Sequence, residues 1–365
     1  IWCITHNRQV NLFDTHTCRF LNNNQVLCNK TGVKDLNVHN VYSLNNGYTW
    51  VICNCKDKIN FRINEAKNPL QDIEIIRGKS IRKVKLDKNS VEWLFTTHGL
   101  EQYGGTFHCN IPFEYMQQIG HRIYFASKKD KLGCYEKGKM RMIPLPKDIK
   151  SIQCMEKWGE NDILLGTNNG IIEYNNKNRK ISRMSVQHPS QPSNDVKKLF
   201  VDSRHRIWAF TSGIGVIMLN PVTGTTEWLN TASSISEIST TSRLPFIHED
   251  KNATIWIIPT GGTFSYYNED THKLIAFTLH SGQFGDIAQP TIQKDFIDNQ
   301  DNLWFSGQHD LSIINFKFHD FTTCPLGSVE IRAIYSDRKD RLWVGDDHGQ
   351  IRIYSDHRQF IGYLN

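Results

Sequence analysis

Short apolar runs recur along the whole chain. Each alternates with polar residues and is cut off by Asn, Asp, Gly or charged turns. The pattern is clearest in residues 331–354, IRAIYSDRKDRLWVGDDHGQIRIY: an apolar run, an Asp, a polar turn, Leu342-Trp343, a second turn from Asp346 to Gly349, and an alternating strand ending in Tyr354. Asp87 leads to Trp93, Asp202 to Trp208, Asp250 to Trp256, Asp298 to Trp304 and Asp337 to Trp343, always six residues on. Aligned on the Trp, Trp2 and Trp50 add two units, with Phe13 and Phe61 eleven residues later. Tyr124 and Leu164 take the Trp place in two more, followed by Tyr135 and Tyr174. The nine anchors lie 31 to 48 residues apart, a period that points to a solenoid or a propeller. The segments are short, β-branched and aromatic, with a period of two, and no window holds a sustained helical spacing. The expected fold class is therefore all-β: a β-propeller built from repeated four-stranded blades.

Several local expectations follow. The recurring Trp fills the space between adjacent blades, and the Asp forms the first hairpin turn by bonding backbone amides. In IRAIYSD, strict alternation places Ile331, Ala333 and Tyr335 on one face and Arg332 and Ile334 on the other. Residues 22–37 read as a polar connection interrupted by Val26-Leu27-Cys28. The unit anchored at Trp304 ends in NFKFHDFTTCPLG and the segment after it is shorter and more charged, so the expected division is propeller repeats over residues 1–326 and a further blade over 327–365. The boundary is placed near Cys324 to Gly327, with an eight-bladed ring plus one extra blade as the competitor.

Composition narrows the chemistry. The 365 residues can bury a large core. There is no apolar run of membrane-spanning length, and the chain opens at IWCITH, in the middle of a repeat, which suggests a fragment or processed chain. A net charge of +6 hints at anionic ligands. The nine Cys are an odd number. Cys53-Asn54-Cys55 has no second pair at metal-finger spacing, so neither metal nor cofactor is expected. GxSxG, HExxH and P-loop motifs are missing from the sequence, and Asp and Glu are scattered, so a carboxylate or Tyr-His pair would have to be assembled from distant blades. The basic clusters lack the interleaved aromatics of single-strand nucleic-acid binders.

The text D-x-x-x-x-(L/I)-W-x-G-T-x-x-G-(L/I)-x-x-Y, carried best by Asp337 to Tyr354 and by Leu164 to Tyr174, resembles the two-component regulator propeller repeat. Departures are plain: the Gly two residues after the anchor survives only as Gly166 and Gly345, and Trp256 is followed by Ile257-Ile258-Pro259. Such repeats form the periplasmic sensor regions of hybrid two-component systems in gut Bacteroidetes. There, two seven-bladed propellers precede a small β-sandwich, a membrane helix, a histidine kinase and a response regulator, and they sense breakdown products of complex glycans. The resemblance implies that nine hairpins make one seven-bladed propeller and the start of a second, and that the chain is a non-enzymatic, periplasmic input region of a membrane-anchored, homodimeric receptor. Its ligand would be an oligosaccharide or polysaccharide fragment, anionic if the basic clusters share a face. The fragment itself would make no membrane contact and bind no nucleic acid. A propeller glycosidase or lyase, and a protein-interaction scaffold, stand as alternatives.

The second hairpin turn of every unit should project to one common face. On it lie His6, Arg8, Lys56, His98, Lys128, Lys129, Asn168, His309 and His348, the candidate ligand-binding residues. Their donors and charges suit the hydroxyls and acid groups of an oligosaccharide. Polar turns are equally what solvent exposure alone produces.

Overall fold

The computed structural model describes residues 2–4, 8–14, 19–21, 23–34, 36–53, 57–66, 71–186, 194–211, 215–229, 246–258, 265–276, 294–297, 302–306, 311–315, 331–337, 339, 341–346, 348–355 and 360–364. By internal contacts the chain divides into two units: residues 1–163 with 174–181, and 164–173 with 182–365. The expected boundary near Cys324 to Gly327 lies outside the described residues.

Each sequence repeat forms one antiparallel sheet whose strands follow chain order, which is the blade of a β-propeller. Among the described residues, seven of the nine sheets have four strands and two have three. Blade three is typical: Ile81–Leu86 pairs with Glu92–Thr96, which pairs with Leu100–Gln102 and then His108–Cys109.

The recurring Asp does form the first turn. Asp87 Oδ1 accepts the amides of Asn89 (2.8 Å) and Val91 (3.0 Å), and Asp250 Oδ1 accepts those of Asn252 and Thr254, both at 2.9 Å. The third residue of the turn adopts a left-handed φ: 61° at Ser90, 61° at His205 and 59° at Ala253. The other carboxylate oxygen has a second task. It accepts the indole N–H of the Trp six residues on, at 3.1 Å for Asp87, 2.9 Å for Asp202, 2.8 Å for Asp250 and 3.0 Å for Asp337. The spacing of six thus links the turn to the core anchor.

The aromatic ten or eleven residues after the anchor is explained by the neighbouring blade. Trp50 meets Tyr103 of the next blade edge-on at 5.0 Å, Trp93 meets Tyr135 at 4.9 Å, and Trp208 meets Tyr267 at 5.1 Å. These tyrosines bond back across the same seam: Gln102 Nε2 donates to Tyr135 Oη at 3.1 Å, Arg141 to Tyr174 Oη at 3.2 Å, and Tyr267 Oη to Glu227 at 2.6 Å. At these seams the two repeating positions are one inter-blade contact; Trp50, Trp93, Trp208 and Trp256 are core, as expected, while Trp2 and Trp343 are half-buried.

Blade two has Leu44 where the Asp would stand, and its Trp50 is fully buried. The indole instead donates to Glu92 Oε2 of blade three at 2.9 Å. Glu92 also takes Arg62 through both carboxylate oxygens (2.8 and 2.9 Å), and Arg62 stacks over Tyr48 at 3.3 Å. A buried indole N–H needs an acceptor, and here the seam supplies it.

Two expectations need correction. Strict alternation fails in the first strands, because a β-bulge sits near the start of the strand in blades two, three, four, six and nine. In blade nine Ile331 pairs with Asp346 and Ala333 with Gly345, so the two-residue period restarts after the bulge. In blade three the bulge puts Ile81 (6% exposed) and Val84 (2%) into the core at a spacing of three, and leaves Arg82 and Lys83 side by side and half-buried. Secondly, residues 22–37 are not simply a polar connection. Asn23–Thr31 is an α-helix beside the strand Val10–Asp14. Leu27 and Cys28 bury against Val10, Leu36 and Val38. Gly32, at φ 72°, closes the helix by donating to Cys28 O at 2.9 Å. Nine residues are too few for a helical period to register in the sequence.

Candidate functional site

The second turns are stapled from beneath. In five blades a buried hydroxyl or carboxyl stands three residues after the anchor: Thr96, Ser127, Thr167, Thr211 and Asp346. Thr96 Oγ1 accepts the amides of His98 (3.2 Å) and Gly99 (2.9 Å). Ser127 Oγ accepts those of Lys129 (3.2 Å) and Lys131 (3.1 Å), and Asp346 Oδ1 those of His348 and Gln350, both at 3.0 Å. The turn backbone is also tied to the chain entering the following blade. Val38 N donates to Arg8 O at 2.8 Å and Ile152 N to Lys129 O at 2.8 Å, while Gly170 N donates to Asn194 O at 2.6 Å. The recurring small polar residue was visible in the sequence as Thr or Ser in the GT position; its role as a staple was not.

This fixes the candidate residues as follows. Arg8, His98, Lys128 and Lys129 belong to the first unit, and Asn168 and His348 to the second. All sit on equivalent second turns. Arg8, at φ 60°, His98, Lys128, Lys129 and His348 are exposed, and Asn168 is half-buried. Lys128 and Lys129 are neighbours; the others are placed singly, one per blade. His6, Lys56 and His309 lie outside the described residues.

A denser cluster lies on the first strands of blades three to five, within the first unit. The bulge of blade three presents Arg82 and Lys83 to Glu114, which occupies the same bulge position in blade four. Arg82 Nη1 reaches Glu114 Oε2 at 2.5 Å, and its other nitrogens donate to Thr96 O (3.1 Å) and Phe113 O (2.8 Å). Lys83 Nζ donates to Glu114 O at 3.0 Å, and Lys85 Nζ to Met116 O at 3.4 Å. Tyr42 Oη of blade two donates to Arg82 O at 3.1 Å and accepts Asn40 at 2.9 Å. Burial works to raise the Glu114 carboxyl, but Lys83, Arg82 and Lys128 together hold it below the usual carboxylate range. Burial and then Lys83 lower the Lys85 ammonium against the pull of Glu156. Burial, then Cys154 and Glu114, push the Tyr115 phenol up to about 12, so at neutral pH it is a hydrogen-bond donor and not a base. The cluster is rich in donors and cations around one carboxylate, which suits polar or anionic oxygen atoms in a ligand. Sequence reading found the basic run from Arg77 to Lys85. Only the bulge and the neighbouring strand show that Arg82, Lys83 and Lys85 stand on a first strand, while Lys139 and Arg141 lie exposed on an outer one.

Also in the first unit, a groove of about 690 Å³ runs between the outer strand of blade four and the entry to blade five. Met142, Pro144, Leu145 and Pro146 line it, together with Lys131, Lys147 and Lys150. Among the described residues no group of His, Cys, Asp and Glu is arranged to hold a metal ion.

No protein-family model and no curated protein matches this chain. Solved structures do. An extracellular domain assigned to a one-component system, BT4673 from B. thetaiotaomicron, is 18% identical, covers 90% of this chain and 52% of its own, and superposes with a TM-score of 0.51. The extracellular domain assigned to the hybrid two-component system BT3049 of the same bacterium is 13% identical over 100% of this chain and 61% of its own, with a TM-score of 0.32. PorZ of Porphyromonas gingivalis, a surface component of the type-IX secretion system, is 12% identical over 100% and 56%, with a TM-score of 0.42. The chain thus spans about half the length of the first of these (52%). At such identities the likeness is one of fold, and it agrees with the blade topology: this chain is an array of β-propeller blades.

Proposed function

We propose that this chain is a periplasmic ligand-sensing region of a membrane-anchored hybrid two-component regulator, and that it binds a glycan-derived oligosaccharide. The reading rests on the Asp–Trp–Tyr repeat, its resemblance to two-component regulator propellers, and the propeller fold. The observation that carries it to a ligand is the first-strand cluster of Arg82, Lys83, Lys85 and Tyr115. Side chains already held half-buried on rigid strands by their bonds to protein oxygens lose little further freedom when a ligand oxygen joins them. Signalling then follows from differential affinity. A ligand that favours one arrangement of domains or protomers biases kinase domains elsewhere in the receptor.

The test is calorimetric titration against a panel of neutral and acidic oligosaccharides, with product analysis of each mixture. Saturable binding of one intact fragment, weakened in Lys83→Ala, is the expected result. New reducing ends or unsaturated products would replace the reading with a glycosidase or lyase. Silence across the panel, together with co-purification of a partner insensitive to glycans, would replace it with a protein-interaction scaffold.

A further inference from the structure

The groove beside blade four differs in chemistry from the first-strand cluster. Its floor is apolar, formed by Pro144, Leu145 and Pro146 with Met142, which is 40% exposed. Ile143 (4% exposed) and Ile149 (1%) pin the connection into the core at both ends, and Ile149 N donates to Pro146 O at 3.0 Å. The two prolines have fixed φ and no N–H, so the wall is preformed and recognises a partner by its side chains. The rim is cationic. Lys131, Lys147 and Lys150 are exposed around it, and Lys128 and Lys129 continue the charge along the same turn. Among the described residues of the lining Asp130 is the one carboxylate, and Lys131 lies 3.4 Å from it. Among the described residues of its lining none is aromatic.

We propose that this groove docks an extended acidic peptide segment of a partner protein that carries an aliphatic side chain. The aliphatic group lies on Met142, Leu145 and Pro146, and flanking carboxylates meet Lys131 and Lys147. An apolar centre with a complementary charged rim is how such segments gain both affinity and register. The proposal stands apart from the oligosaccharide reading, because it uses other residues and another ligand class.

Fluorescence polarisation with three labelled short peptides tests it: one alternating Glu with Leu pairs, one with the Glu replaced by Lys, and one with the Leu replaced by Gly and Ser. The Glu–Leu peptide should bind in a salt-sensitive manner and the other two should not. Lys131→Glu with Lys147→Glu should weaken it roughly fivefold or more, since each rim charge contributes modestly. Met142→Ser should weaken it separately. All these positions are exposed, and an unchanged circular dichroism melt confirms folding. Equal binding of the Glu–Gly–Ser peptide would reduce the groove to a nonspecific polyanion site and overturn the proposal. So would binding indifferent to both variants, no binding at all, or tighter competitive binding by an acidic oligosaccharide. A concentration-dependent dimer abolished by Lys131→Glu with Lys147→Glu would assign the groove to a second copy of this chain instead.

Discussion

Asp87→Asn separates two accounts of the recurring Asp. If the residue only shapes its turn, Asn serves nearly as well, because its carboxamide oxygen can accept the same backbone amides. If it also latches the indole, Asn fails. Asp87 is 7% exposed and Trp93 is fully buried. One carboxylate oxygen accepts Asn89 N and Val91 N while the other accepts Trp93 Nε1 at 3.1 Å. With the carboxamide oxygen kept on the turn, the –NH2 faces the indole N–H, donor against donor. A buried donor left unpaired costs about 1–3 kcal/mol, so Asp87→Asn should destabilise by roughly 2 kcal/mol. Asp87→Ala should cost about 1 kcal/mol more, since two turn amides then turn to solvent. Trp93→Phe removes the indole donor, and the double mutant should recover about 1–2 kcal/mol relative to additivity. Urea denaturation followed by far-UV circular dichroism measures the parent and all four variants. The first unit's transition is the one to follow, because a chain of two units need not unfold in one step. An Asp87→Asn protein within about 0.5 kcal/mol of the parent, or a cycle with no coupling, would refute the latch.

Two further outcomes follow from the packing. Glu92→Ala removes the acceptor of both Trp50 and Arg62 and leaves the guanidinium with the longer ion pair to Glu74 at 3.7 Å; a loss of about 2–3 kcal/mol, chiefly from the unpaired buried indole N–H, is expected in the same denaturation assay. Gly99→Ala would set a Cβ 2.0 Å from the Cys109 carbonyl oxygen, whereas Gly47, at φ 81°, has nothing within 4 Å. Thermal melts should therefore show Gly47→Ala costing about 1 kcal/mol from backbone strain and Gly99→Ala about 3 kcal/mol or more from the backbone collision.

The repeat was legible in one dimension because each of its marks serves a local or nearest-neighbour need. The Asp precedes the Trp by six residues because one carboxylate spans the turn and the indole within a single hairpin. Tyr103, Tyr135 and Tyr267 follow their own anchors by ten or eleven residues because each meets the anchor of the blade before. The repeating unit and the strand order within it could be read from these spacings, since among the described residues pairing in a blade keeps to chain order. The helix Asn23–Thr31 escaped because two and a half turns leave no period to detect, although Gly32 marked its end.

The candidate site was less legible. The second turns could be found, and the structure keeps Arg8, His98, Lys128, Lys129, Asn168 and His348 on them. That Arg82, Lys83 and Glu114 converge required two things that no single strand encodes. One is the bulge, which turns consecutive residues to one side. The other is the neighbouring blade, whose bulge carries the opposite charge. Likewise, Pro144, Leu145 and Pro146 read as a bare connection until Ile143 and Ile149 anchor it and Lys131 is brought beside it. Sequence alone determined the repeating unit, because its contacts are short-range. Tertiary structure decided where charge and apolar surface meet, because those contacts join residues about thirty positions apart, such as Arg82 and Glu114 (separated by 32), and only the packing of one blade on the next brings them within reach.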